Sequence, residues 1–158
     1  MKFTRSSGIL LHPTSFPGPH GIGDLGENAY KFINFLVEAK QTLWQVLPLG
    51  PTGYGDSPYA SFSTFAGNPF LVNLDKLVEQ GDLDAADLED VPNFPIDAVD
   101  FGWIIHWKVP LLRKAAQNFL TAAHANRKAE FENFCAEQGY WLDDFDVVYG
   151  LEKQLSRC

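Results

Sequence analysis

Leu43-Trp44-Gln45-Val46-Leu47-Pro48-Leu49-Gly50-Pro51-Thr52-Gly53-Tyr54-Gly55-Asp56-Ser57-Pro58-Tyr59 is the stretch on which the architecture turns. Its first five residues are a short, mostly apolar run that reads as a buried strand, and Pro48 ends it because proline brings no N–H to a sheet ladder. From Leu49 to about Pro69 the chain is dense in glycine and proline, with Gly50, Gly53, Gly55 and Gly67 beside Pro51, Pro58 and Pro69. A loop of that length in a compact protein is usually functional. It leaves the C-terminal end of the strand, where α/β folds bind their ligands.

Upstream, residues 8–11 read as another short buried strand, stopped by His12-Pro13. After a Pro/Gly-rich loop, Asp24 with Glu27 three residues later resembles a helix-starting capping box. Ala29, Phe32, Ile33, Leu36 and Val37 then recur at helical spacing and predict one apolar stripe. Strand, helix, strand over this length predicts a parallel, right-handed unit.

Downstream, residues 70–74 read as a third short extended segment, followed by a helix near 74–79. Residues 82–100 are acidic, contain Pro92 and Pro95, and read as a connector. Ile105, Val109, Leu112, Ala116, Phe119 and Ala123 predict a long helix with a kink or a fresh start at Pro110. Phe131, Phe134 and Cys135 predict a second helix, and Phe145, Val148, Leu151 and Leu155 a third.

The 158 residues carry 12 Lys plus Arg against 20 Asp plus Glu, a formal charge of −8. Phosphate backbones repel such a surface, so nucleic acid and anionic membranes are poor partners, while a neutral sugar meets no such penalty. No apolar run reaches membrane-spanning length. Two cysteines, Cys135 and Cys158, make no disulfide scaffold and fit a reducing, cytoplasmic setting. Two parallel strands alone leave both sheet edges unpaired. Two architectures answer that problem: a small α+β domain whose later helices cover one face, or the front of a larger α/β barrel cut before most of its strands.

Tyr54 and Tyr59 offer flat apolar faces with a polar tip, and Ser57 and Asp56 offer hydrogen-bonding groups, a set that suits the C–H face and hydroxyl rim of a pyranose. On composition alone, a turn-rich loop whose aromatics pack down explains the stretch slightly better. Phe62, Phe65 and Phe70, lacking a hydroxyl, read as core. His12 and His20 have no third metal ligand nearby. Gly21-x-Gly23-x-x-Gly26 matches a dinucleotide fingerprint formally, but the loop before it is too long and proline-rich for a tight strand-to-helix turn. Trp103 and Trp107, at helical spacing, read as core.

His12-Pro13-Thr14-Ser15 with Pro17-Gly18, Gly21-Ile22-Gly23-Asp24-Leu25-Gly26, the stretch from Trp44 to Tyr59, Ser61-Phe62-Ser63 and Ala66-Gly67-Asn68-Pro69 together resemble the opening of the amylomaltases. These are the 4-alpha-glucanotransferases, or disproportionating enzymes, of glycoside hydrolase family 77. Phe101-Gly102-Trp103, Trp107-Lys108 and Trp141-Leu142-Asp143-Asp144 extend the likeness over nearly the whole chain, which corresponds to about the first third of the family's length. The resemblance implies the N-terminal part of a (β/α)8 TIM barrel with a helical insertion after the second strand, the barrel being incomplete. Residues 1–80 would be the first βαβ unit with a glucan-binding loop at 49–69. Residues 81–158 would be the acidic connector and a mainly helical insertion, cut at its C-terminal end.

The reaction implied is retaining transfer of alpha-1,4-glucan segments to the 4-hydroxyl of an acceptor, by a carboxylate nucleophile and an acid/base carboxylate, with no cofactor and no metal. Maltooligosaccharides or alpha-1,4-glucans would be the partners. Tyr59 resembles the family's aromatic residue at the donor sugar, Ser57 a hydroxyl contact in the same cleft, and Tyr54 an outer glucan platform; Asp56 would hydrogen-bond within the loop. Phe101 falls where the family can carry a tyrosine. The family's catalytic carboxylates match no position here, so none of Asp24, Asp56 and Asp75 is assigned that role, and the isolated chain is expected to be inactive.

Overall fold

The computed structural model describes residues 5–155, with side chains described except at 54 and 147–155. Strand β1 (Gly8–Leu10) lies parallel to β2 (Leu43–Gln45), with Ile9 opposite Trp44. Helix α1 (Glu27–Glu38) makes the crossover. The ladder extends one residue beyond each end of β1, through Leu11 N–H to the Gln45 carbonyl and Thr42 N–H to the Ser7 carbonyl, both 3.0 Å. The predicted parallel unit is therefore present.

Its surroundings differ from expectation. Leu10 and Leu43 are exposed rather than buried, and on α1 only Ala29 and Leu36 of the predicted stripe are buried, while Ile33 and Val37 face solvent. No further strand of the described residues covers this sheet, and a parallel sheet is dry only when both faces are covered. Helix α1 also starts later than predicted. Gly26 is its N-cap, and Asp24 instead accepts the Gly26 N–H at 2.9 Å and the Asn73 amide at 3.0 Å.

The core lies elsewhere. Ile22, Phe70 and Ile104 form one buried cluster, with Phe94 and Phe101 against it. Leu74, Leu83 and Ala115 form a second, flanked by Trp107 and Leu112. The clusters join helix α2 (Leu74–Glu79) and the loop ends to helix α3 (Phe101–Ala122). Residues 70–74 form no strand: Pro69–Leu71 is a 3-10 turn, because Asn68 accepts the Phe70 N–H at 2.9 Å and Pro69 sits at the first turn position, where its missing N–H costs nothing, and only Val72 and Asn73 are extended before α2 begins. The connector carries another such turn at Ala85–Leu88.

Helix α3 runs through Pro110 without a fresh start. The carbonyl that loses its partner there is that of His106, and both residues are exposed, so water can replace the bond. The buried line is Ile104, Lys108 and Ala115, one residue off the predicted stripe; Ile105 is exposed. The two later helices are one, α4 (Ala125–Leu155), because no proline lies between the predicted pieces and Gly139, the weakest helix former there, costs only about 1 kcal/mol. The side chains of Val148, Leu151 and Leu155 lie outside the described residues. Edge contact of Phe119 with Phe131 and a 2.6 Å ion pair from Arg127 to the buried Asp82 dock α4. Among the described residues, no helix is long and apolar enough to cross a membrane.

Candidate functional site

The loop leaving β2 is built as a hairpin. Thr52 and Ser61 form an antiparallel bridge, and Gly53 N–H donates to the Ala60 carbonyl at 2.9 Å. At its tip, Gly55 (φ 75°) and Asp56 (φ 53°) both take the left-handed conformation, which lets the chain reverse within a 3-10 turn over Tyr54–Asp56. The base is closed by Asn68 N–H to the Leu49 carbonyl at 2.7 Å. Gly50 is required by close approach: a Cβ there would stand 2.7 Å from the Ser63 carbonyl oxygen and nearer still to the Ser61 hydroxyl.

His12 ties this loop to the first strand. Its Nε2 lies 3.4 Å from the Pro48 carbonyl, which can only accept, and Nδ1 lies 2.8 Å from the Thr14 hydroxyl and 3.4 Å from the Thr14 N–H. Both ring nitrogens are thus engaged within the scaffold.

The hairpin frames an open cleft of about 550 Å³, lined among others by Pro48, Gly50, Tyr59, Ser61, Phe62 and Thr64. Tyr59 is 75% exposed at its edge. Ser57 and Asp56 are half-buried on the tip, outside the lining; the Ser57 hydroxyl accepts the Tyr59 N–H at 3.3 Å and so helps to fix the tyrosine backbone. Tyr54 belongs to the tip by its backbone, and its side chain is outside the described residues. Phe70 is core, as expected. Phe62 and Phe65 are exposed instead, and Phe65 packs on α4: its ring stacks on Trp141 (5.8 Å, 25°) and meets Tyr140 edge-on (5.7 Å). Trp107 packs inward against His20 and Phe94, while Trp103 is half exposed. Phe101 borders the core.

Composition and periodicity gave little notice of two buried polar side chains. Lys108 is fully buried and donates through Nζ to the Phe70 carbonyl at 2.8 Å, just past the base of the loop. Burial pushes its pKa down to about 8, against the opposing pull of Asp24 and Asp75. His20 is also buried; its Nε2 lies 3.9 Å from Asp75, and Nδ1 has no hydrogen-bond partner. Burial holds His20 below its ordinary pKa, opposed by Asp75 and aided by Lys108. A lysine one step from an apolar stripe was the available signal for Lys108. Among the described residues, no group of three or more His, Cys, Asp or Glu could hold a metal ion. In the formal dinucleotide fingerprint, the Gly23 N–H donates to the Thr14 carbonyl at 3.0 Å and the Gly26 N–H to Asp24 at 2.9 Å.

A parallel strand pair with an aromatic, glycine-shaped hairpin at its C-terminal end places the chain in the α/β class, whose folds bind ligands at that end. A family model described as 4-alpha-glucanotransferase, that of glycoside hydrolase family 77, matches residues 11–156, and the chain belongs to that family. It is 48% identical over 152 residues to the 4-alpha-glucanotransferase of Thermus thermophilus, covering 96% of this chain and 30% of that protein. It is 44% identical over 147 residues to the chloroplastic/amyloplastic 4-alpha-glucanotransferase of Solanum tuberosum, covering 89% of this chain and 25% of that one. In three dimensions it matches the amylomaltase from Streptococcus agalactiae in complex with acarbose, with a TM-score of 0.88 at 36% identity, covering 98% of this chain and 31% of that one. The chain thus spans 25% to 31% of the length of these three relatives.

Proposed function

We propose that this chain supplies the donor-side glucan contacts of a 4-alpha-glucanotransferase, and that its ligands are alpha-1,4-glucans. The observation that carries the proposal is the family match running through a hairpin that leaves Tyr59 exposed beside a cleft. Tyr59 stacks on the apolar face of a glucose unit. Ser57 and Asp56 hold the tip that presents it, and the family likeness gives Tyr54 the part of an outer glucan platform. In this reading β1, α1 and β2 are the first members of a (β/α)8 barrel, residues 1–80 carry the loop at 49–69, and residues 81–158 form the connector and insertion.

The transfer reaction needs a carboxylate to attack the anomeric carbon as an acid protonates the departing oxygen, and then a sugar 4-hydroxyl to displace the carboxylate. Asp24 has a structural task instead, bonded to Gly26 and Asn73, and Asp56 belongs to the hairpin turn. No pair in this chain is assigned to the chemistry. The purified chain is therefore expected to leave maltotriose unchanged, with no glucose released, yet to bind maltoheptaose in calorimetric titration. Tyr59→Ala should remove that binding with the circular dichroism unchanged. Glucose release by the chain, or binding indifferent to Tyr59→Ala, overturns the assignment.

A further inference from the structure

Helix α3 reaches the base of the Tyr59 hairpin through a side chain that water does not touch. Lys108 is fully buried, and its Nζ donates to the Phe70 carbonyl at 2.8 Å. One turn earlier on the same helix, Ile104 shares the first core cluster with Phe70, so α3 holds this residue on two counts. From Phe70 the bonds run into the loop. Phe70 N–H donates to the side-chain oxygen of the buried Asn68 at 2.9 Å. Asn68 N–H donates to the Leu49 carbonyl at 2.7 Å and closes the hairpin at its base. Leu49, with Pro48 and Gly50, lines the cleft beside Tyr59. Lys108, Phe70, Asn68 and Leu49 thus form a continuous series from α3 to the cleft.

An ammonium is a costly way to make this contact. Burial penalises its charge and pushes its pKa down to about 8, against the pull of Asp24, in the loop before α1, and of Asp75, on α2. His20, in the loop after β1, also faces it. Methionine would fill a similar length without the charge, but it has no donor, and the Phe70 carbonyl would lose its partner. A charge-assisted bond is about twice as strong as a neutral one, and it fixes a direction, which apolar packing does not. We propose that Lys108 is a positioning residue of the glucan site: it holds the 69–71 turn, and through it the hairpin base, so that Tyr59 is presented to the sugar. The proposal rests on the glucan reading of the Tyr59 cleft. It makes α3, none of whose residues lines that cleft, a determinant of the cleft's affinity.

The test is calorimetric titration of the 158-residue chain with maltoheptaose at pH 7 and pH 9, for the wild type and Lys108→Met, with urea midpoints measured on the same samples. Over this interval Lys108 passes from mostly charged to mostly neutral, while His20, held below its ordinary pKa, stays neutral. The wild type should bind roughly two- to fivefold more weakly at pH 9, as the charge-assisted bond becomes a neutral one, although its stability rises over the same interval. A merely structural lysine would move affinity and stability together. Lys108→Met should bind roughly three- to tenfold more weakly than the wild type at pH 7, with no further loss at pH 9. Amide hydrogen exchange without sugar reads the clamp itself: the Asn68 and Phe70 N–H groups should lose protection in Lys108→Met while those within α1 keep theirs. If Lys108→Met binds like the wild type, or loses affinity at pH 9 as the wild type does, or if wild-type affinity does not fall at pH 9, the positioning role is overturned while the Tyr59 reading stands. If the wild type binds no maltoheptaose at either pH, both are overturned. Should circular dichroism show that Lys108→Met does not fold, the wild-type pair of titrations decides alone.

Discussion

Lys108 has no solvent exposure and one acceptor, the Phe70 carbonyl. Its pKa is about 8 in the folded chain against 10.5 for an ordinary lysine. Between those values the unfolded chain holds a proton that the folded chain has released, so stability rises with pH across that window. The full span is about 3 kcal/mol, and below pH ~8 the whole cost of burying the ammonium is present. Urea midpoints measured from pH 7.5 to 9.5 should climb for the wild type and stay flat for Lys108→Met; a flat wild-type profile would refute the account. His20 acts in the same sense at lower pH. Because burial holds its folded-state pKa below 6.5, stability is lost as pH falls through about 6.5 and the unfolded chain takes up the proton first. His20→Phe, which retains a ring against Trp107, should remove that acid limb of the profile. Neither residue announces its burial in the sequence. A lysine among apolar neighbours reads as a helix edge, and only the meeting of α3 with the 69–71 turn shows that its ammonium is enclosed.

At the scale of elements, Pro110 is the point where local chemistry and packing disagree. It deprives the His106 carbonyl of a donor, yet α3 continues because Ile104 and Ala115 on either side are anchored in the two clusters. Pro110→Ala should restore the missing bond and stabilise the chain by about 1–2 kcal/mol, the interior penalty of proline being partly offset by the freer unfolded state of alanine. Denaturant titration at fixed pH checks it, and a loss of stability would mean that the ring fills a packing role against Trp103 or Trp107. The parallel strand pair, α1 and the long loop after β2 were legible because their signals are local: apolar runs stopped by prolines, one stripe at helical spacing, and a run dense in glycine and proline; that the loop folds back as a hairpin was not foreseen. The 69–71 turn was misread because Asn68 and Pro69 together override an apolar run that otherwise suits a strand. The union of the last two helices was missed because no periodic stripe continues across Gly139. Contact of Phe65 with Trp141 has no local signal at all, since it depends on how α4 returns to the loop.

For the whole molecule, the unequal distribution of burial is the governing fact. Both interior clusters sit around α2 and α3, whereas Leu10 and Leu43 on the strands and Ile33, Phe35 and Val37 on α1 are left in water. Contiguous apolar surface of this kind, beside unpaired edges of a parallel sheet, calls for a covering polypeptide. The occupant that best fits is the remainder of the family's fold, since this chain superimposes over 98% of its length on only 31% of an amylomaltase. A second copy of the chain could also cover this surface, through an association that rises with concentration. Sedimentation velocity of the chain alone should accordingly show concentration-dependent association. Co-expression with the portion of the Thermus thermophilus relative beyond the matched segment should give a one-to-one complex instead, with maltotriose disproportionation that neither part has alone. Val37→Lys and Leu43→Lys, which place charge on the exposed face, should weaken both associations while sparing the core clusters. A monodisperse monomer indifferent to the complementary portion would mean that the strand pair is stable uncovered, and that the open faces of β1, β2 and α1 are the finished surface of a small α+β domain.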